Sequence, residues 1–393
     1  MYLTKDQEKM LSGEYGWAAA KALELIVRVG GAMGAEELVE VKHAHVSGVS
    51  YTNVGDHGLE FLSDFYAKGG RARVYTTINP GCVDYSGLSN IIDNDFAARQ
   101  MLVDNILQSM GFKPVHTCIP HYHRPPLENE HLAWGESSAV IYANSVFGAR
   151  TNREGGPVAL SASITGYTYK AGLHIESNRV ARVKVEVPAI SRGVPPGALG
   201  LWIGDHIREI PYITGVKNLD VSGVKSLLAS MAASGNHALA VLNGITPRNT
   251  YRVEIEDKVV VEDKALEEYL GDDISSGDRV LGYVGCPHLH PVELLKVVEL
   301  LRKYGPPRKG KLMITVPREY AITFQSILYE LRVRGVDVAV GTCPIVSRLK
   351  EKFDVVLTNS GKALFYMKKI HGVKARIVGV EEVVKCVCRG FKS

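Results

Sequence analysis

The last third of the chain constrains the fold most. From residue 279 onward, short apolar runs alternate with amphipathic segments. Strands are predicted over 279–285, 311–316, 337–340, 354–358 and 376–380. Helices are predicted over 291–304, 319–333, a short stretch ending at Lys352, and 362–371. A parallel strand pair needs a crossover long enough to hold a helix, so this spacing implies parallel βαβ units. Leu294, Val297, Leu301 and Tyr304 share one helical face, and Gly305-Pro306-Pro307 stops that helix.

The first half is less regular. Thr4-Lys5-Asp6-Gln7 has the form of a capping box. A helix is expected over 15–29, stopped by Gly30-Gly31, then a strand over 38–46, a helix after Asp56, a strand over 73–78 and a helix over 95–110. Between 156 and 260 the pattern changes: segments 179–187 and 251–261 alternate with period two, which favours antiparallel strands, with a helix near 221–232 between them. At 393 residues the chain exceeds the usual size of one core. Gly271, Asp272, Asp273, Ser275 and Ser276 mark a boundary within 262–278. The expected division is an N-terminal α/β domain with a β-rich insertion, 1–270, and a C-terminal parallel α/β domain, 271–393.

Bulk properties exclude several function classes. A net charge of +4 with no basic block gives no basis for nucleic-acid binding. The longest apolar runs, near 238–242 and 355–357, are far too short to span a membrane. The start lacks a basic segment followed by an apolar one, so a cytoplasmic protein is expected. Six cysteines in so long a chain do not make a disulfide framework; they are buried small hydrophobes or metal and catalytic groups. No G-x-G-x-x-G follows the first strand, and Gly361-Lys362 is followed by Ala363, so neither a dinucleotide fingerprint nor a phosphate-binding P-loop is present.

Position separates the cysteines. In open parallel sheets ligands bind beyond the carboxyl ends of strands. Cys286, in Gly285-Cys286-Pro287, and Cys343, in Gly341-Thr342-Cys343-Pro344, each follow a predicted strand at once; Lys362 follows another. Cys118 ends a β-like segment in the N-terminal half and reaches that edge only if the two halves face each other across a cleft. Converging thiolates suit an iron–sulfur cluster. Zinc is the alternative, on Cys286, His288 and His290, in a non-catalytic interaction module, but no C-x-x-C pair supports it. Cys386 and Cys388 are read as structural and Cys82 as a non-ligand. The pairs His43/His45, His121/His123 and His288/His290 are expected to be hydrogen-bonded rather than metallated.

The run 141–157, Ile-Tyr-Ala-Asn-Ser-Val-Phe-Gly-Ala-Arg-Thr-Asn-Arg-Glu-Gly-Gly-Pro, strongly resembles the aconitase X family. So do Gly135-Glu136-Ser137-Ser138, Ile78-Asn79-Pro80-Gly81 and the two Cys-Pro sites. The resemblance spans most of the chain. It implies an aconitase-like multidomain fold whose interdomain cleft holds a [4Fe-4S] cluster on Cys118, Cys286 and Cys343. It also implies a hydro-lyase whose substrate meets Gly48, Val49, Ser50, Asn79, Pro80, Glu136, Ser137 and Lys362. Members of the family dehydrate (R)-5-phosphomevalonate, in the archaeal mevalonate route to isoprenoids, or cis-3-hydroxy-L-proline. A small swivelling domain, fused or separate, brings the serine thought to act as base. No part of this chain matches it, so the resemblance implies a small partner subunit and favours the phosphorylated hydroxy acid. Lys362 is suited to a carboxylate or a phosphate. Arg150, Asn152 and Arg153 either clamp an anion or hold an interdomain interface.

Overall fold

A computed structural model describes residues 1–188, 193–275 and 277–390. It is a mixed α/β structure in which the three larger sheets are wholly parallel. The C-terminal sheet has the order Asp337–Val340, Lys311–Val316, Val280–Val284, Val355–Thr358, Lys374–Ile377. Its inner strands are buried and mostly apolar because helices cover both faces, the expected state of a parallel sheet, while the edge strand Lys374–Ile377 is partly exposed. Two helical readings change. The segment after Asp337–Val340 is a series of turns, since Pro344 and the loop contacts of Gly341 and Cys343 leave no continuous helix. The helix expected over 319–333 is broken at Phe324 into Tyr320–Thr323 and Gln325–Val333. A further helix, Val380–Arg389, closes the chain and buries Cys386 and Cys388 against this sheet.

The four-stranded sheet corrects the antiparallel expectation. Val180–Glu186 lies between Ile210–Thr214 and Arg252–Val260, and both pairings are parallel. Helices Pro196–His206 and Val221–Ser234 pack together and bury the inward side chains Val183 and Val185. Arg252–Val260 is exposed almost throughout. In Val180–Glu186 the period-two pattern therefore reports cover on one side, in Arg252–Val260 it reports none, and in neither does it carry strand direction.

In the N-terminal region a three-stranded parallel sheet has the order Tyr75–Ile78, His43–Val46, Leu132–Trp134. The strand expected over 38–46 is in fact two. Leu38–Glu40 leaves that sheet and pairs antiparallel with Tyr167–Tyr169. The capping box at Thr4 forms as read: the Gln7 amide N–H donates to Thr4 Oγ1 at 3.3 Å, and Thr4 N–H donates to Gln7 Oε1 at 2.9 Å.

Gly30-Gly31 does not stop the second helix, which runs Trp17–Ala32. Gly30 is there for close packing: a Cβ would lie 2.6 Å from Tyr169 Cβ, whereas Gly31 has nothing within 4 Å. Gly31→Ala is thus expected to raise the thermal midpoint, by up to about 1 kcal/mol of helix propensity. Gly30→Ala should lower it, because overpacking of about 1–3 kcal/mol outweighs the same gain. Equal effects in a melting experiment would refute this reading.

Candidate active site

Two parallel sheets aim their carboxyl ends at one cleft of about 330 Å³. In the C-terminal sheet, Val280–Val284 is the switch point, with the second and third strands on one side and the fourth and fifth on the other. Such a point opens a crevice above the strand ends. Cys286, Cys343 and Lys362 leave the sheet there. Gly285 makes the turn into Cys286 at φ +119°, and a Cβ would sit 2.6 Å from Thr315 O, so only glycine fits.

The opposite wall comes from the N-terminal sheet. His43–Val46 leads into Ser47, Gly48, Val49 and Ser50; Tyr75–Ile78 into Asn79 and Pro80; Leu132–Trp134 into Gly135, Glu136 and Ser137. Cys118 is held beside them, with the Thr117 amide donating to Ile78 O at 3.0 Å. The His288 amide donates to Cys118 Sγ at 3.1 Å across the cleft. The cleft thus gathers every site residue read from the sequence: Gly48, Val49, Ser50, Asn79, Pro80, Cys118, Glu136, Ser137, Cys286, Cys343 and Lys362. The halves face each other as the placement of Cys118 required.

The electrostatics centre on a buried ion pair between Lys362 and Glu136. Lys362 Nζ also donates to Ser137 Oγ at 3.2 Å and Ser138 Oγ at 3.3 Å. Burial alone pushes the Glu136 carboxyl up; the Lys362 charge and bonds from Lys362, Asn79 and Ser138 reverse this and hold it well below the usual carboxylate range. Burial opposes the Lys362 charge, but Glu136 and the nearby Cys286 and Cys118 hold it above its ordinary value. Both groups therefore stay ionised at neutral pH. The thiols are the reverse case: burial raises Cys118 and Cys343, and pushes Cys286 up to about 12.

A hydrogen-bond chain fixes the Asn79 amide. Asn79 Nδ2 donates to Glu136 Oε2 at 2.9 Å, so its Oδ1 accepts from His45 Nε2 at 3.1 Å. His45 Nδ1 then accepts from Thr77 Oγ1 at 2.8 Å. Burial, the largest influence, lowers His45 to about 4, which keeps this ring neutral and its tautomer set.

Two residues that shape the cleft escaped the sequence reading. Lys225, on the buried face of Val221–Ser234, donates to Pro287 O at 3.3 Å and His288 O at 2.9 Å and pairs with Glu293. A lone lysine in the otherwise small and apolar Val-Ser-Gly-Val-Lys-Ser-Leu-Leu is a signal that could have found it. Gln100 left no such signal. Its Nε2 donates to Val49 O at 3.2 Å and Asp104 Oδ1 at 2.8 Å; its Oε1 accepts from Tyr51 N at 2.8 Å and Cys82 N at 3.3 Å. This buried amide ties the loops before Tyr51 and after Asn79 together. Gln100→Met leaves those groups unpaired at about 1–3 kcal/mol each, so loss of thermal stability together with a raised KM is expected. Retention of both parental values would refute the tie. Of the three residues read from the sequence as an anion clamp or an interface, Arg153 does line the cleft, and it bonds to Asn236 Oδ1.

Other sequence candidates fall outside the cleft. Arg150 is buried, with Nε and Nη2 on Asn129 Oδ1 at 3.1 and 2.9 Å and Nη1 on His174 O at 3.3 Å. Asn152 bonds Ala171 O at 3.1 Å. Cys82 bonds Gln100 and does not line the cleft. His288 lines it, but its Nε2 is committed to Thr342 O at 2.8 Å, which weakens the zinc reading. Among the described residues, no group of three His, Cys, Asp or Glu is arranged to hold a metal ion. No described helix is long and apolar enough to cross a membrane.

Models of the aconitase X first, second and third domains match residues 1–177, 180–271 and 280–389. The phosphomevalonate dehydratase large subunit of Thermococcus kodakarensis is 40% identical over 98% of this chain and 99% of its own length. The crystal structure of Thermococcus kodakaraensis aconitase X in its holo-form superposes with a TM-score of 0.88 at 37% identity, covering 98% of this chain and 99% of that one. A more distant relative, the cis-3-hydroxy-L-proline dehydratase of Hypocrea jecorina, is 27% identical over 99% of this chain but only 69% of its own length. Matched from end to end, with both sheets opening on the cleft that carries its motifs, the chain belongs to the aconitase X family.

Proposed function

We propose that this chain is the cluster-bearing large subunit of a hydro-lyase. It removes water from (R)-5-phosphomevalonate to give trans-anhydromevalonate 5-phosphate, acting with a separate small subunit. The observation that carries this reading is the cleft itself: three thiols, Cys286 buried and Cys118 and Cys343 partly so, line it together with an ionised Lys362–Glu136 pair. The donor set suits an iron–sulfur cluster. Cys118, Cys286 and Cys343 come from three different loops; three thiolates gathered in one cleft would repel one another, the single Lys362 charge is already paired with Glu136, and cysteine thiolates are the ordinary cluster ligands. A [4Fe-4S] cluster held by three protein ligands would supply a Lewis acid at its open iron for the departing hydroxyl.

The chain's own groups bind and orient. Lys362, Ser137 and Asn79 converge on Glu136 and fix a polar floor against which a carboxylate or hydroxyl is aligned. Removal of the α-proton needs a base with an accessible pKa. Glu136 is held ionised by Lys362 with its oxygens already bonded, and Lys362 stays protonated; neither is poised for that step. The base is therefore assigned to the small subunit, a division of labour in keeping with the large-subunit name of the relatives. The hydroxyproline enzyme, by contrast, extends well beyond the match to this chain.

The test is an assay of the anaerobically reconstituted two-subunit enzyme on both substrates. Dehydration of (R)-5-phosphomevalonate is expected. Turnover of cis-3-hydroxy-L-proline and none of the phosphorylated acid would reject the assignment.

A further inference from the structure

A phosphorylated hydroxy acid brings two anionic ends into the cleft, and the charges already there are unequally committed. Among the described lining residues, the cations are Lys362 and Arg153, and the carboxylate is Glu136. Lys362 is spent on Glu136. Arg153 is not: among the described residues, the one hydrogen-bond partner of its guanidinium is the neutral side-chain oxygen of Asn236. Asn236 stands at φ +57°, just beyond the Gly235 cap of helix Val221–Ser234, so the bond joins two parts of the chain and steadies the guanidinium without cancelling its charge.

The backbone of Arg153 is placed as firmly. It bridges to Trp134, and the next residue's amide donates to Trp134 O at 2.9 Å. The same stretch packs on the Ser47 loop: a Cβ on Gly156 would be 2.8 Å from Ser47 O. Arg153 therefore belongs to the wall formed by Ser47, Gly48, Val49, Ser50 and Asn53, opposite the C-terminal sheet. Arg150 shows the contrast, since its guanidinium is buried on Asn129 and His174.

We infer that Arg153 is the phosphate anchor of the cleft and the residue that sets preference for a phosphorylated substrate. A guanidinium has five N–H donors, and one bond to Asn236 leaves a fork free to grip phosphate oxygens bidentately. With the phosphate held there, the carboxylate and hydroxyl end extends toward Lys362 and the thiols. This inference rests on the proposed substrate class, but its first test does not require turnover.

Inorganic phosphate is titrated calorimetrically into the reconstituted two-subunit protein and into its Arg153→Gln and Arg153→Lys forms. The Gln form is expected to bind about 10- to 100-fold more weakly, as loss of charge-assisted bonds implies, and the Lys form to recover part of the affinity. In turnover, Arg153→Gln should raise KM for (R)-5-phosphomevalonate by a similar factor with kcat nearly unchanged. The side chain is exposed, so the thermal midpoint should hold. Equal phosphate affinity in parent and Gln forms overturns the inference even if the parent enzyme is active. A parent that binds phosphate through Arg153 yet dehydrates only hydroxyproline keeps the anion site and removes the proposed reaction instead.

Discussion

Replacing Lys362 by methionine is expected to destabilise the chain by about 3–5 kcal/mol and to abolish dehydration, because it strands a buried carboxylate. The Lys362 and Glu136 side chains are only 13% and 11% exposed, so solvent screens the pair little. The double variant Lys362→Met/Glu136→Gln should regain much of the stability and none of the activity, which separates folding from function in one cycle. The pH dependence has a definite sign. Glu136 is held below its unfolded value, so its contribution is present above about pH 4.3 and is lost as pH falls through the folded value. In Lys362→Met the same carboxyl keeps only the effect of burial, which raises it, and protonation then relieves the stranded charge. The deficit between variant and parent should therefore shrink on acidification. Urea titrations at several pH values measure this; a deficit that grows toward low pH contradicts the pairing.

Serine substitution at Cys118, Cys286 or Cys343 is expected to give the second large effect. Each variant should fold, since serine is nearly isosteric, yet lose bound iron, visible absorbance and most of its activity. Cys386→Ser and Cys388→Ser should keep all three properties, although Cys388 bonds Gly305 O at 3.0 Å and its loss will cost some stability. These two sit in the core of the C-terminal sheet, remote from the cleft lining. Iron, labile sulfide and specific activity measured together decide each position. A Cys118→Ser protein with a full complement of iron would remove that residue from the set.

How far the sequence alone reaches depends on what each residue's signal encodes. Lys311–Val316 and Asp337–Val340 were legible to the residue because Gly and Pro bracket short runs buried on both faces, and Pro291–Tyr304 because Pro and Gly bracket an amphipathic one. Strand direction around Val180–Glu186 was not, since period-two alternation records which face is covered and nothing about the neighbour. Gly30-Gly31 reads as a stop only until Tyr169 is known to pack on it. In the site, Cys286, Cys343 and Lys362 could be placed by counting strands, as all leave one sheet. Cys118, Asn79 and Glu136 needed the family motifs, because a second sheet carries them and its meeting with the first is a tertiary fact. Gln100 was illegible for the same reason, since it acts through backbone groups of distant loops; Arg153 was named as an anion clamp or an interface residue, and only the fold separates it from Arg150, whose guanidinium is bonded outside the cleft.

The most direct test of the account is the Mössbauer spectrum of ⁵⁷Fe-reconstituted two-subunit enzyme, recorded with and without (R)-5-phosphomevalonate. Three cysteine ligands on a four-iron cluster predict that the signal of one iron site moves when substrate is added while the others stay. A protein that takes up no iron, or whose iron sites are all indifferent to substrate, would contradict the cleft as a cluster-dependent dehydratase site.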